Sequence, residues 1–383
     1  MNPSWTTRIA SAAAVGVTLA TVTAGVTAAA HAASSPGWRV SAVLQKPDVS
    51  VLLALTAAGP NDAWAFGNIS KSARPTAVHW NGKSWSISLL PGGSSRPDSA
   101  SSTSPTNVWA AGSTCPGGSS PQSSYVSRWN GKKWTTSTFN RDFCNPALVT
   151  TGPKNGWLFG RSPNAVDAAQ TLHFDGTNWR TVQLGKVGSV MSASASSAKD
   201  VWAFTIRRNL KTLAMHWNGR AWQSVPLPKF DLSKGKYLYP NTIYAVSPTQ
   251  AWATGGVYDP ATSQHYAVLL HWNGKIWQRV AAPGNEDLFE LTSDGSGGVW
   301  AIGNPVNAAQ NAYSFVHYAH GTWTSELATV NGIPNAVSSS ATIDVFNIAL
   351  IPGTHSVWAT GDVFYYDQND VYHQKTLIYK YGP

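Results

Sequence analysis

The sequence predicts an all-β fold, a seven-bladed β-propeller of four-stranded antiparallel blades, with the ring closed by an N-terminal strand that joins the last blade. Three observations predict it. A tryptophan-bearing phrase such as Ala251-Trp252-Ala253-Thr254-Gly255 and a turn phrase such as His271-Trp272-Asn273-Gly274-Lys275-Ile276-Trp277 recur together along the chain, and seven copies can be counted. Each copy occupies roughly 50 residues, room for four short strands. The two chain ends carry complementary fragments of the unit. At 383 residues the chain is long enough for two or three ordinary domains, but one period running from end to end argues for a single closed array.

Residues 1–32 read as a secretory signal peptide: Arg8 gives a weakly basic start, residues 12–30 are a small apolar run, and Ala30-His31-Ala32 offers a cleavage site. Cleavage after Ala32 leaves residues 33–383 as one propeller domain, secreted and extracellular. No later stretch reaches the roughly 18–20 apolar residues of a membrane span, so no membrane insertion is expected once the signal is gone. After a short lead-in, Trp38-Arg39-Val40-Ser41-Ala42-Val43 looks like the strand that elsewhere follows the turn. The C-terminal Thr376-Leu377-Ile378-Tyr379-Lys380-Tyr381 looks like the strand that precedes it. Each end supplies what the other lacks, which closes the ring.

Within a unit, taking the copy around Trp252, Thr242 to Val246 is the first strand and Ala251 to Gly255 the second. A variable loop leads to Tyr266 to Trp272 as the third. Asn273-Gly274 makes a tight turn, because Asn and Gly tolerate positive φ, and Ile276 to Val280 is the fourth. The second-strand tryptophans Trp64, Trp109, Trp157, Trp202, Trp252, Trp300 and Trp358 are spaced from 45 residues (Trp64 to Trp109) to 58 (Trp300 to Trp358), as expected for blades of one size joined by loops of several sizes. Tryptophan is abundant at 19 residues, and strong helix formers are scarce, so helix content should be low.

Phrases such as Leu172-His173-Phe174-Asp175-Gly176-Thr177-Asn178-Trp179 resemble the strand-turn-strand of kelch propellers, and the Asp/Asn-Gly-x-x-Trp core is similar to the Asp-box turn of sialidase-type propellers. The resemblance covers residues 38 to 383 and implies the galactose-oxidase-like propeller fold. It departs from kelch in the diglycine that ends the second strand, present only as Gly255-Gly256, and from full Asp boxes in having Asn in most turns.

The catalytic sites implied by that resemblance are not matched. A copper site would need a cysteine cross-linked to tyrosine, whereas Cys115 and Cys144 are better explained by each other. They form an even pair in an exported chain, closing a loop of about 30 residues worth roughly 3–4 kcal/mol. Two free thiols are the alternative, disfavoured in an oxidising compartment. A sialidase site would need first-strand arginines, and the expected first strands hold none. Gly-x-Ser-x-Gly, His-Glu-x-x-His and Walker motifs are absent. His79, His173, His216, His271 and His317 take the same place in five blades, at least about 10 Å apart, too far to share a metal ion. A packing or hydrogen-bonding role is expected, and neither metal nor cofactor. The repeated tryptophans are likewise expected in the core.

The formal charge of +9 falls to +8 when Arg8 leaves with the signal. That excess fits an anionic cell-wall polymer and equally serves solubility. Lysines and arginines are scattered rather than striped, so no nucleic acid is expected. First-to-second and third-to-fourth turns are short and uniform. Second-to-third loops and interblade links are long, varied and on the opposite face, where binding sites usually sit. The candidates there are Arg141, Phe143, Phe230, Asp231, Tyr237, Tyr239, Tyr258, Asp259, His265, Tyr365 and Tyr366, tyrosines beside groups able to hydrogen-bond a sugar or peptide. The expected function is a secreted, monomeric, non-catalytic binder of an extracellular glycan, cell-wall polymer or protein. The alternative is a secreted carbohydrate-active hydrolase, lyase or oxidase acting at the channel mouth, with Glu286, Asp287 or Asp231 as candidate carboxylates.

Overall fold

The computed structural model describes residues 37–44, 49–69, 74–91, 95–114, 123–140, 143–161, 169–284, 286–305, 313–330 and 341–383. They form seven four-stranded antiparallel sheets. Blades one to six span residues 49–89, 97–139, 144–181, 189–225, 237–280 and 286–327, each sheet ordered as its strands follow in sequence. Blade seven takes three strands from residues 342–381, and Trp38–Leu44 is its outer strand, with Trp38 opposite Tyr381 and Leu44 opposite Thr376. This is the closure the two chain ends predict. A 3₁₀ turn at Ser233–Gly235 is the only helical segment among the described residues, and no described helix is long and apolar enough to cross a membrane. The signal segment 1–32, Cys115 and Arg141 lie outside the described residues; Cys144 is buried at the head of Cys144–Gly152.

The turn phrase works by a different device from positive φ at both residues. Asn81 Oδ1 accepts the N–H groups of Lys83 and Ser84, both at 2.9 Å, and only Gly82 takes a positive φ, 90°. Asn130, Asp175, Asn218 and Asn273 repeat the pattern. Since the turn uses an acceptor oxygen alone, Asp175 serves as well as asparagine.

All seven second-strand tryptophans are buried, none more than 5% exposed. Removing each from water contributes roughly 4–6 kcal/mol. Two contacts fix them. The cross-strand partner lies over the indole: His79, His173, His216, His271 and His317 sit 3.9–4.2 Å from the rings of their own blades. In the other two blades Arg128 and Lys380 take that register position, 5.3 and 5.4 Å from Trp109 and Trp358. In four blades an Asp or Asn two residues before the tryptophan (Asp62, Asn155, Asp200) or six before it (Asp294) holds the histidine Nε2 at 2.6–3.1 Å. The second contact is between blades. Outer-strand tryptophans Trp85, Trp134, Trp179, Trp222 and Trp277 meet the indole of the adjacent blade edge-on, at 5.2–5.8 Å. Trp38 does the same to Trp300 at 5.4 Å.

The first strands form the inner ring, where a sheet edge would leave N–H groups unpaired. Hydroxyls of the adjacent blade take them. Ser99 and Ser101 accept from Leu148 and Thr150, Ser192 and Ser194 from Ile243 and Ala245, and Thr292 from Leu350, at 3.0–3.2 Å. Asn241 and Asn347 donate to the Leu288 and Leu53 carbonyls. This explains the Ser/Thr alternation of these strands. They enclose a central channel of about 510 Å³ lined largely by Ser, Thr and Ala.

Asp98 and Glu290 are the acidic residues in that wall, and Glu290 is the more strongly perturbed. Burial pushes its carboxyl up to about 7 from 4.5, against the pull of a Thr242 hydrogen bond. Between those values the folded chain keeps a proton that the unfolded chain releases, so this contribution is complete below about pH 4.5 and is lost as pH rises through about 7. Glu290→Gln is therefore expected to raise Tm at pH 8 and leave it nearly unchanged at pH 5. Thermal melts at the two pH values check this, and an equal shift at both would contradict it.

Candidate functional site

Blade five carries the densest group of the expected site residues, and it does so on strands rather than loops. Its first strand runs Tyr237–Ser247, its second Gln250–Asp259 and its third Gln264–Trp272, each longer than the repeat alone predicts. The extra length begins at Pro240, where the register shifts before Ile243. Proline lacks an N–H and is tolerated at such a bulge on an inner edge strand. Beyond it the chain pairs again, with Tyr237 opposite Tyr258 and Tyr258 opposite His265.

Opposed residues share a face of the sheet, as do residues two apart. Tyr237, Tyr239, Tyr258 and His265 therefore stand together, on the face that packs Trp252 against Leu288 and Leu291 of blade six. Their rings touch in sequence. Tyr237 lies 5.4 Å from Tyr258 and 6.4 Å from Tyr239, and His265 lies 4.8 Å from Tyr258 and 5.6 Å from Tyr239. The Tyr239 hydroxyl meets His265 Nδ1 at 3.0 Å. Tyr239 reaches it by lying across Gly256, where an added Cβ would stand 2.1 Å from the phenol oxygen.

Asp259 is on the other face, toward blade four, paired with Lys236 at 3.1 Å. The Lys236 contact holds its carboxyl below the usual range, and Asp259 in turn raises Lys236. The acid that reaches the aromatic group electrostatically comes from the adjacent blade. Asp287, in the strand Glu286–Ser293, is raised by burial and drawn back by His265. Tyr239 is raised by burial first and then by the Asp287 charge. Asp287 Oδ1 is buried with no hydrogen-bond partner. An orphaned buried carboxylate oxygen costs about 1–3 kcal/mol or more, and a ligand hydroxyl or N–H would satisfy it.

The remaining candidates are dispersed. Phe143 is fully buried in the core of blades two and three, its N–H donated to Ser124 Oγ. Tyr365 is 2% exposed and stacked on His373 at 5.1 Å, so both turn inward rather than onto the loop face. Phe230 packs half-buried against the core of blades four and five beneath the Arg279 guanidinium, 4.8 Å away. Asp231 is exposed and caps Ser233, whose hydrogen bonds hold its carboxyl low. Tyr366 is exposed at the end of the blade-seven hairpin, 5.5 Å from Tyr372. The sequence names Asp287 only as a carboxylate near a blade entrance. Nothing local ties it to tyrosines some 30–50 residues earlier; the proximity arises when the blades stack.

No protein family and no curated protein matches the chain by sequence. Solved structures do match it in fold. The GH74 xyloglucanase of Xanthomonas campestris aligns at 11% identity and a TM-score of 0.57 over 89% of this chain and 55% of its own, so the chain spans about half that enzyme's length. A chain of a mitotic checkpoint complex aligns at 14% identity and TM-score 0.53, over 93% of this chain and 98% of its own. The fucose-specific lectin of Aleuria aurantia aligns at 12% identity and TM-score 0.47, over 75% and 100%. At such identities the likeness is one of fold. The chain is a seven-bladed β-propeller.

Proposed function

We propose that the chain is an exported, monomeric, non-catalytic glycan-binding protein that holds an extracellular or cell-wall glycan on the aromatic group of blade five, near Asp287. One observation carries this reading: three tyrosines and a histidine share a face within the field of a carboxylate whose Oδ1 has no partner. Rings offer flat apolar surfaces to the C–H face of a sugar, and an unpaired carboxylate oxygen accepts its hydroxyls. Hydrolysis is the weaker reading. Asp259 and Asp287 have pKa values displaced in opposite directions, as an acid–base pair requires. Asp259, however, is neutralised by Lys236 on the opposite face of the blade, so the two do not converge on one bond.

The test is retention of residues 33–383 on immobilised cell-wall glycan. Replacing both Tyr237 and Tyr258 with alanine is expected to weaken retention by about tenfold or more, with Tm changed by only a few degrees and no release of reducing sugar by either protein. Wild-type retention in the double variant would exclude this surface. Turnover that disappears in Asp287→Asn would favour the enzyme instead.

A further inference from the structure

Basic residues read as scattered along the sequence, yet the stretch from Lys186 to Lys236 holds nine Lys and Arg against two Asp, and so carries seven of the net +9 charges. The fold gathers most of them on the face opposite the short turns. Three segments meet there: the link ahead of blade four (182–188), the hairpin loop of that blade (207–211) and the link behind it (226–236). A Cβ added to Gly188 would stand 2.6 Å from Arg207 Cα, and Thr212 Oγ1 donates to the Leu238 carbonyl at 2.5 Å. Lys186, Arg208, Lys211, Lys229 and Lys234 are exposed on these segments, where Asp231 is the one acid. Arg207 Nε is buried there without a hydrogen-bond partner.

Large apolar side chains stand among these cations: Leu210 is 44% exposed, Leu232 43% and Tyr266 47%. Leu210 is at the tip of a tight hairpin in which the Arg207 N–H donates to the Lys211 carbonyl at 3.0 Å, and its φ of 61° is one that leucine rarely adopts. Leu232 precedes the 3₁₀ turn Ser233–Gly235, which rests on the blade-five hairpin: a Cβ on Gly235 would lie 3.5 Å from Pro260 Cγ. Tyr266 pairs with Val257, whose side chain belongs to the core between blades four and five, so its phenol stands on the same side of blade five as the link.

We propose that this rim docks the protein on the surface of an anionic phospholipid bilayer. The leucines and the phenol enter the headgroup region while the lysines and arginines meet the lipid phosphates. A hydrated anionic polysaccharide would engage the cations and leave both leucines in water, whereas a lipid surface takes both kinds of side chain. The contact is peripheral and requires nothing to cross the bilayer. Since the rim lies on the blade-four side of blade five and the aromatic group on its blade-six side, the inference goes beyond the glycan reading and stands independently of it.

The experiment is co-sedimentation of residues 33–383, which contain every strand of the seven blades, with phosphatidylcholine vesicles prepared with and without phosphatidylglycerol. Binding to the anionic vesicles is expected to be roughly tenfold or more tighter than to the neutral ones and to fall as salt is raised. Lys211→Glu with Lys234→Glu should weaken it by about thirtyfold or more. Lys199 and Arg220 are exposed in the short turns on the other face of blade four. Lys199→Glu with Arg220→Glu makes the same change of charge there and should weaken binding by less than about threefold. Leu210→Asn with Leu232→Asn leaves the charge unaltered and is expected to weaken binding about tenfold. Asparagine accepts the left-handed φ at position 210, so this variant keeps the fold. Absence of binding to anionic vesicles, or an equal loss from the two charge reversals, would overturn the proposal. So would wild-type binding by the leucine variant, which would leave a surface that works by charge alone and suits an anionic polysaccharide instead.

Discussion

Trp38→Ala is expected to cost about 3–5 kcal/mol and to lower Tm by about 5–10 °C, more than the same change at the partly exposed outer-strand Trp323. Trp38 is 5% exposed, stacked on Phe315 at 3.7 Å and set edge-on to Trp300. Its backbone N–H reaches the Glu326 carboxylate at 3.2 Å. These contacts join residues at opposite ends of the chain and hold the only strand of blade seven contributed by the N-terminal end. Loosening it uncovers the edge of Tyr372–Tyr381 and the apolar face behind it, so aggregation should accompany the loss of stability. Trp38→Phe should be far milder. The indole Nε1 has no hydrogen-bond partner, so phenylalanine forfeits ring area but no bond. Denaturant melts with light scattering measure both variants. A Trp38→Ala protein melting within about 2 °C of wild type would mean that the ring does not depend on this clasp.

The architecture was legible because a repeat reports itself: the tryptophans, the Asn-Gly turns and the split unit at Trp38 and Tyr381 each needed only counting. What stayed hidden was geometry that residue type does not encode. Arg128 and Lys380 stand where five other blades place histidine, and only the strand register shows that the three residue types occupy one position. Phe143 and Tyr365 share the composition of ligand-binding loops, yet they face the core. The face a side chain takes depends on strand register, and a shift of one residue reverses it. The same parity separates Asp259 from Tyr258, adjacent in sequence and on opposite sides of blade five. Extension of the blade-five strands past Pro240 was hidden too, since proline there reads as a boundary until the bulge is seen.

Gly256→Ala should remove binding while the propeller stays folded, because glycine at this point is required for space alone. Its φ is not in the left-handed region, so an alanine there carries no backbone strain. The added Cβ would stand 2.1 Å from the Tyr239 hydroxyl oxygen and 2.3 Å from Cζ, distances that no contact tolerates. The ring must swing off Gly256, and its 3.0 Å contact with His265 goes with it. The aromatic group then loses its inner member and its fixed imidazole. Glycan retention is expected to fall by about tenfold to a hundredfold, with a stability loss of about 1–3 kcal/mol. Gly255→Ala separates this effect from general damage. There the new Cβ would lie 2.3 Å from the backbone oxygen of Tyr239, which has no rotamer to escape into, so stability should suffer more than at Gly256. Calorimetric melts and retention assays on the pair give the ordering. If Gly256→Ala bound as well as wild type while Gly255→Ala melted early, the diglycine would be a packing device and Tyr239 would have no part in recognition.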